Sequence, residues 1–239
     1  MPIEQSTPCP AARAATLMLA LTCVAALALG SGCRDDRLEL EKLDPRRGLD
    51  SVAISASAYR FQTGPEGQFP KEWANTLNPS PWSIEQGKLV GTQVRHRALW
   101  LREPLPEYVR IDFEAQVEAG ASIRMEIFGD GEHHESGYVL AFGAYDNPSV
   151  HFIGRLDEHG DDRVITSKGP ELKPGQRYAM TLIRTDQALR WFVNDTLLLQ
   201  FIDPEPLKGV THQYFAFDGW DSKVIFDKVT VFTVKPTER

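Results

Sequence analysis

From residue 51 onward the dominant signal is alternation. In RIDFEAQV, Arg110 to Val117, the residues Ile111, Phe113, Ala115 and Val117 fall on one face of an extended chain. Arg110, Asp112, Glu114 and Gln116 fall on the other, which predicts a half-buried antiparallel strand. Ile123, Met125 and Ile127 alternate with Arg124 and Glu126 in the same way. The stretch from Val150 to Leu156 repeats the pattern, which puts Val150, Phe152, Gly154 and Leu156 on the core face against His151, Ile153 and Arg155.

The second half continues with hairpins. Tyr178 to Ile183 and Leu189 to Val193 flank RTDQA, and Asn194-Asp195 then turns the chain into LLLQFID. Asn and Asp tolerate the positive φ that a tight hairpin needs. In VIFDKVTVF, Phe226 and Val229 are three apart, so alternation fails unless a bulge at Asp227-Lys228 returns both to the core. No stretch beyond the leader has convincing helical periodicity, and many short strands separated by Gly and Pro clusters predict an all-β sandwich or barrel.

The N-terminus is different. Ala14 to Leu29 is a charge-free apolar run of 16 residues after Arg13, shorter than the roughly 20 a spanning helix needs. Gly30-Ser31-Gly32 and Cys33 follow, and this order resembles a bacterial lipoprotein signal peptide, although Gly30 stands where that family usually has Leu. The resemblance implies cleavage before Cys33 and acylation of that residue. Arg34 behind the cysteine implies no retention at the inner membrane, and so a place on the periplasmic face of the outer membrane or on the cell surface. The expected organisation is a signal peptide over 1–32, a charged tether over 33–50 and one β-sandwich domain over 51–239.

Charge and cysteine usage narrow the function. The formal charge is −7, and none of it comes from the leader, where Glu4 and Arg13 cancel. No run of Lys and Arg offsets this, which excludes a phosphate-backbone surface and so nucleic acid as partner. The three cysteines stand at positions 9, 23 and 33, so the domain has no disulfide framework and no thiolate metal site.

The order PWSIEQGKLVG, SGYVLAFG, HFIGRL, WFVND, FIDPEPLKG and FDGWDSKVIFDKVTVF, from about Trp73 to Val234, resembles the concanavalin A-like lectin/glucanase superfamily. The nearest resemblance is to bacterial keto-disaccharide hydrolase-type domains. It implies an antiparallel two-sheet jelly-roll and a saccharide as ligand, with the function left open because this fold hosts lectins, glycosidases, lyases and adhesion modules alike.

Several stretches carry candidate chemistry. GDGEHHESGY, Gly129 to Tyr138, places two histidines among carboxylates and glycines; its simplest reading is a solvated hairpin tip. Adjacent histidines on a strand point to opposite faces, so a metal site there needs a curled backbone and ligands from a second segment. Glu126, Asp130 and His133 are the candidates for catalysis. Asp112 and Glu114 have the spacing of a carboxylate pair but read as a solvated sheet face. RLDEHGDDR offers Asp157, Asp161 and Asp162 to calcium, without the spacing of an EF-hand, and no cofactor is otherwise expected. Sugar binding calls for an aromatic face beside polar groups, and Trp220, Arg155, His151, Tyr145 and Trp100 are the candidates. Trp73, Trp82 and Trp191 are expected in the core. The functional expectation is an exported, lipid-anchored glycan-binding protein of the cell envelope. A glycoside hydrolase or lyase and an adhesive envelope protein are the alternatives.

Overall fold

The computed structural model describes residues 55–63, 68–119, 122–185, 187–221 and 223–235. The described residues all fall in one compact unit of the chain. The leader, Cys33 and the tether lie outside the described residues.

The described residues contain strands and no helix. They are β1 (Ser55–Tyr59), β2 (Trp82–Glu85), β3 (Lys88–Thr92), β4 (Leu99–Trp100), β5 (Val109–Ala119), β6 (Ile123–Gly129) and β7 (Tyr138–Ala144). Then come β8 (Asn147–Arg155), β9 (Val164–Thr166), β10 (Arg177–Thr185), β11 (Ala188–Val193), β12 (Thr196–Ile202), β13 (Tyr214–Asp218) and β14 (Lys223–Thr233). Every pairing is antiparallel. One sheet runs β12-β11-β10-β5-β14-β3-β2, with β1 also on β14, and the other runs β4-β13-β6-β7-β8-β9. The fold is the expected all-β jelly-roll sandwich.

The inner faces meet in an aromatic core. Phe113 of β5 and Phe226 of β14 pack on Phe217 of β13 at ring-centroid distances of 5.3 and 4.0 Å, which joins the two sheets. Ile111, Phe113, Ala115 and Val117 are all buried, as their alternation requires. Phe226 and Val229 are both buried because the register slips between Asp227 and Thr230, with Lys228 at φ 55°. That is the expected bulge. Asn194 and Asp195 close the β11–β12 hairpin with φ of 50° and 64°. Trp73, Trp82 and Trp191 are buried in the same cluster.

Strand β8 corrects the pattern-based reading. Ile153, together with His151 and Arg155, points toward the space between the sheets, in register with Leu140, Phe142 and Tyr138 of β7. Val150 and Phe152 point the other way, into a separate apolar cluster with Val139, Ala141 and Ala144 on the outer face of the six-stranded sheet. All seven residues of β6 and of β7 are buried. A strand covered on both sides loses the distinction between inside and outside that alternation normally carries.

The outer face is covered by loops. The connection between β6 and β7 and the loop after β8 fold over it, joined where Glu158 N–H donates to Glu135 Oε1 at 2.7 Å. Tyr145, in the β7–β8 turn, lays its ring on Phe152 at 5.6 Å and donates its hydroxyl to the Glu158 carbonyl at 2.9 Å. These contacts frame the outer face of the six-stranded sheet.

Candidate functional site

The site starts from the polar half of the β6 alternation. Residues directly opposite in an antiparallel ladder share a face. Glu126 therefore lies beside Ala216 and Val139, and Arg124 beside Asp218 and Ala141, with Trp100 opposite Ala216 on β4. The outer face thus carries two carboxylates, a guanidinium and an indole on adjacent strands. Glu126 and Asp218 are both fully buried.

Three loops bring imidazoles and a second indole over this floor. In the β6–β7 connection, Asp130 caps the turn by accepting from the N–H groups of Glu132 and His133 at 2.8 and 2.7 Å. The turn sends His133 outward, to pair with Asp130 at 2.8 Å, and His134 inward, where Nδ1 lies 2.5 Å from Glu126 Oε1 and 3.5 Å from Asp218 Oδ2. The opposed directions are those adjacent residues must take, and the curl supplies the convergence a straight strand could not. The expected solvated hairpin tip is therefore solvated on its rim only.

The β3–β4 loop contributes His96. It is held by backbone hydrogen bonds from Arg95 N–H to Trp220 C=O and from His96 N–H to Gly219 C=O, 3.2 and 3.1 Å, and by an Arg95–Asp221 ion pair at 2.9 Å. His96 Nδ1 sits 3.1 Å from Asp218 Oδ2. Its ring stacks on His134 at 3.9 Å and 13°, and Trp220 tilts over it at 4.7 Å with 44% of its surface exposed.

Electrostatics follow from burial. Desolvation pushes the Glu126 carboxyl up from the usual range, with the hydrogen bond and charge of His134 opposing it. Burial works against a charged His134, but the Glu126 hydrogen bond and the Glu126 and Asp218 charges outweigh it and hold its pKa above normal. Their 2.5 Å contact joins a carboxyl and an imidazole in a place where an unpaired charge would be costly.

A contiguous row results. Trp220, His96 and His134 lead to Glu135 and Glu158, whose carboxylates lie within 4.8 Å of His134, and Glu158 leads to Tyr145, 41% exposed. Arg124 anchors the middle, with Nε to Ser122 Oγ at 3.0 Å, a terminal nitrogen on the Glu158 carboxylate, and its guanidinium 5.9 Å from the Phe152 ring centroid. The row runs from one exposed aromatic ring to another across acid and base groups.

The remaining sequence candidates are placed as follows. Glu126, Trp220 and Tyr145 belong to this face, and Asp130 and His133 stand at its rim. Trp100 is on the face but buried, packed onto Gly129, where a Cβ would meet its ring at 2.3 Å. His151 is fully buried on the opposite face of the sheet, stacked on Phe142 at 4.4 Å and accepting from Gly143 N–H, so it offers nothing to a ligand. Arg155 also faces away and pairs with Asp203 at 2.8 Å, a carboxylate shared with the Tyr138 hydroxyl, which pins the segment after β12. Asp157 accepts from His159 N–H, and Asp161 and Asp162 are exposed; among the described residues none of the three joins a metal-type cluster. Asp112 and Glu114 pair with Arg110, Arg177 and Lys228 on the outer face of the other sheet. His96, Arg124 and Asp218 are residues of this face that pattern reading misses as site candidates. The one local signal was DGWD, which places Asp218 two residues before an exposed tryptophan.

No family model matches the chain, and no curated protein does. Among solved structures, the chain is similar to a sialidase with TM-score 0.56 and 10% identity, over 78% of this chain and 19% of that one. An alginate lyase variant in complex with an alginate trisaccharide aligns with TM-score 0.53 and 12% identity, over 76% of this chain and 99% of that one. A "putative glycosyl hydrolase" from Parabacteroides distasonis aligns with TM-score 0.52 and 13% identity, over 73% of this chain and 98% of that one. At these identities the likeness is one of fold: the chain shares a β-sandwich with proteins named for work on carbohydrates.

Proposed function

We propose that this protein is an exported, lipid-anchored saccharide-binding β-sandwich, with its ligand on the outer face of the six-stranded sheet. The observation that carries the reading is the row from Trp220 to Tyr145, with two exposed rings flanking His96, His134, Glu135 and Glu158. A pyranose presents an apolar face and a hydroxyl rim, and rings beside acid and imidazole groups match both. The fold neighbours named as a lyase with a bound trisaccharide and as glycosyl hydrolases support a carbohydrate as the ligand class. The lipid anchor rests on Cys33 behind the apolar leader. An oligosaccharide array probed with the full chain tests the reading. Retention of one glycan class by the native chain, weakened in Trp220→Ala, is the expected result.

A second reading, hydrolysis or lyase chemistry on the bound saccharide, is favoured by Glu126. Its buried carboxylate held 2.5 Å from His134 is a proton-handling pair that binding alone does not require. Turnover of the retained glycan by the native chain, falling at least about 100-fold in Glu126→Gln, would establish it. Unchanged turnover in that variant would remove Glu126 from any chemistry.

A further inference from the structure

We propose that His96, His134 and Asp218 form a binding site for one zinc-like divalent metal ion at the centre of the outer face. One donor atom from each of the three residues lies within 4.8 Å of the others. They come from three separate segments, the β3–β4 loop, the β6–β7 connection and the end of β13, as a metal site built by tertiary structure requires. Both imidazoles direct Nδ1 at the same oxygen, Asp218 Oδ2, at 3.1 and 3.5 Å.

A second observation points to a missing cation. Asp218 has no solvent exposure, and its other oxygen, Oδ1, is buried without a hydrogen-bond partner. Glu126, equally buried, lies on the next strand of the same face. Two buried carboxylates are costly unless positive charge meets them. The guanidinium opposite Asp218 is committed elsewhere, since Arg124 donates to Ser122 and Glu158. Among the described residues, the basic groups paired with Asp218 are the two imidazoles. A divalent ion held by these atoms would supply the charge that the buried Asp218 carboxylate lacks.

The donor set selects the ion. Two imidazole nitrogens and one carboxylate suit zinc or a neighbouring transition metal, whereas calcium and magnesium prefer oxygen alone. Three protein ligands leave a fourth position for water, Glu126 or a ligand hydroxyl, the arrangement of zinc sites that act on a bound molecule. Trp220 rests against His96, so a hydroxyl from a sugar stacked on that indole falls beside the ion.

The experiment uses the full chain, purified without a histidine tag, stripped with a chelator and titrated with zinc alone by calorimetry. Cobalt titration followed by visible absorption reports the ligand field. The native chain takes up one equivalent. His96→Gln and Asp218→Asn each weaken uptake at least about 10-fold, while His133→Gln on the rim leaves it unchanged. Absence of saturable uptake by the native chain, or uptake unaltered in both site variants, overturns the proposal. Should Asp218→Asn lose its β-sheet circular dichroism, the part-exposed His96→Gln decides. No saccharide is present in this titration, so its failure leaves glycan binding standing, and a glycan-blind chain that still takes up zinc fails in the other direction.

Discussion

Replacing Trp220 by Ala removes the most exposed indole from the proposed saccharide face and little else. The side chain leans on His96 at 4.7 Å, while 44% of its surface remains open. A tryptophan has about 250 Å² of side-chain surface to bury, which leaves roughly 110 Å² for a ligand. A pyranose covering half of that removes about 55 Å² from water, worth about 1.4 kcal/mol at ~25 cal/mol per Å². The expected loss of affinity is therefore about tenfold, and up to about 100-fold if the whole open face is covered. The fold should lose only the aromatic contact to His96, about 0.5–1 kcal/mol. Isothermal titration with the glycan found on the array, alongside thermal melting of both chains, separates the two effects. Affinity within twofold of the native chain, with an unchanged melt, would refute the placement of the ligand on Trp220. A tenfold loss accompanied by a large drop in melting temperature would instead mean that Trp220 is a packing residue.

Two further predictions concern groups away from the ligand. Burial depresses the His151 pKa to about 4 from an ordinary 6.5, so between those values the unfolded chain holds more protons than the folded one. The stability that His151 contributes is complete above pH 6.5 and is lost as pH falls toward 4, by at most about 3 kcal/mol. Urea unfolding of the native chain at pH 7 and pH 5 measures this, and His151→Phe, beside Phe142, should flatten the dependence; an equal slope in that variant would show that another group is responsible. Cys33→Ser should release the chain from membranes and abolish incorporation of labelled palmitate in bacteria, and persistent labelling would place the anchor elsewhere.

The strands were legible where one face meets water. β5 shows alternation because Arg110, Asp112, Glu114 and Gln116 face outward while Ile111, Phe113, Ala115 and Val117 face the core. The bulge at Asp227-Lys228 was legible for a related reason, because two large apolar residues three apart must both be buried. Strand β8 was misassigned in its faces because loops bury its outer side as well, so Phe152 and Ile153 are equally hidden and carry no directional information. Those same loops make the site. Glu126 could be singled out on its strand, and Trp220 and Tyr145 as exposed aromatics. His96 and Asp218 could not, since they stand 122 residues apart and meet only through the pairing of two loops. The inward turn of His134 likewise depends on Asp130 capping the loop, a local geometry that a run of polar residues does not announce.

The central claim is that a saccharide occupies the outer face of the six-stranded sheet between Trp220 and Tyr145. A crystal structure of the chain with the oligosaccharide it retains tests it directly. The account predicts a pyranose ring stacked on Trp220 with hydroxyls within hydrogen-bond distance of His134 or Glu135. A sugar found on the outer face of the eight-stranded sheet, beside Asp112 and Glu114, would contradict it.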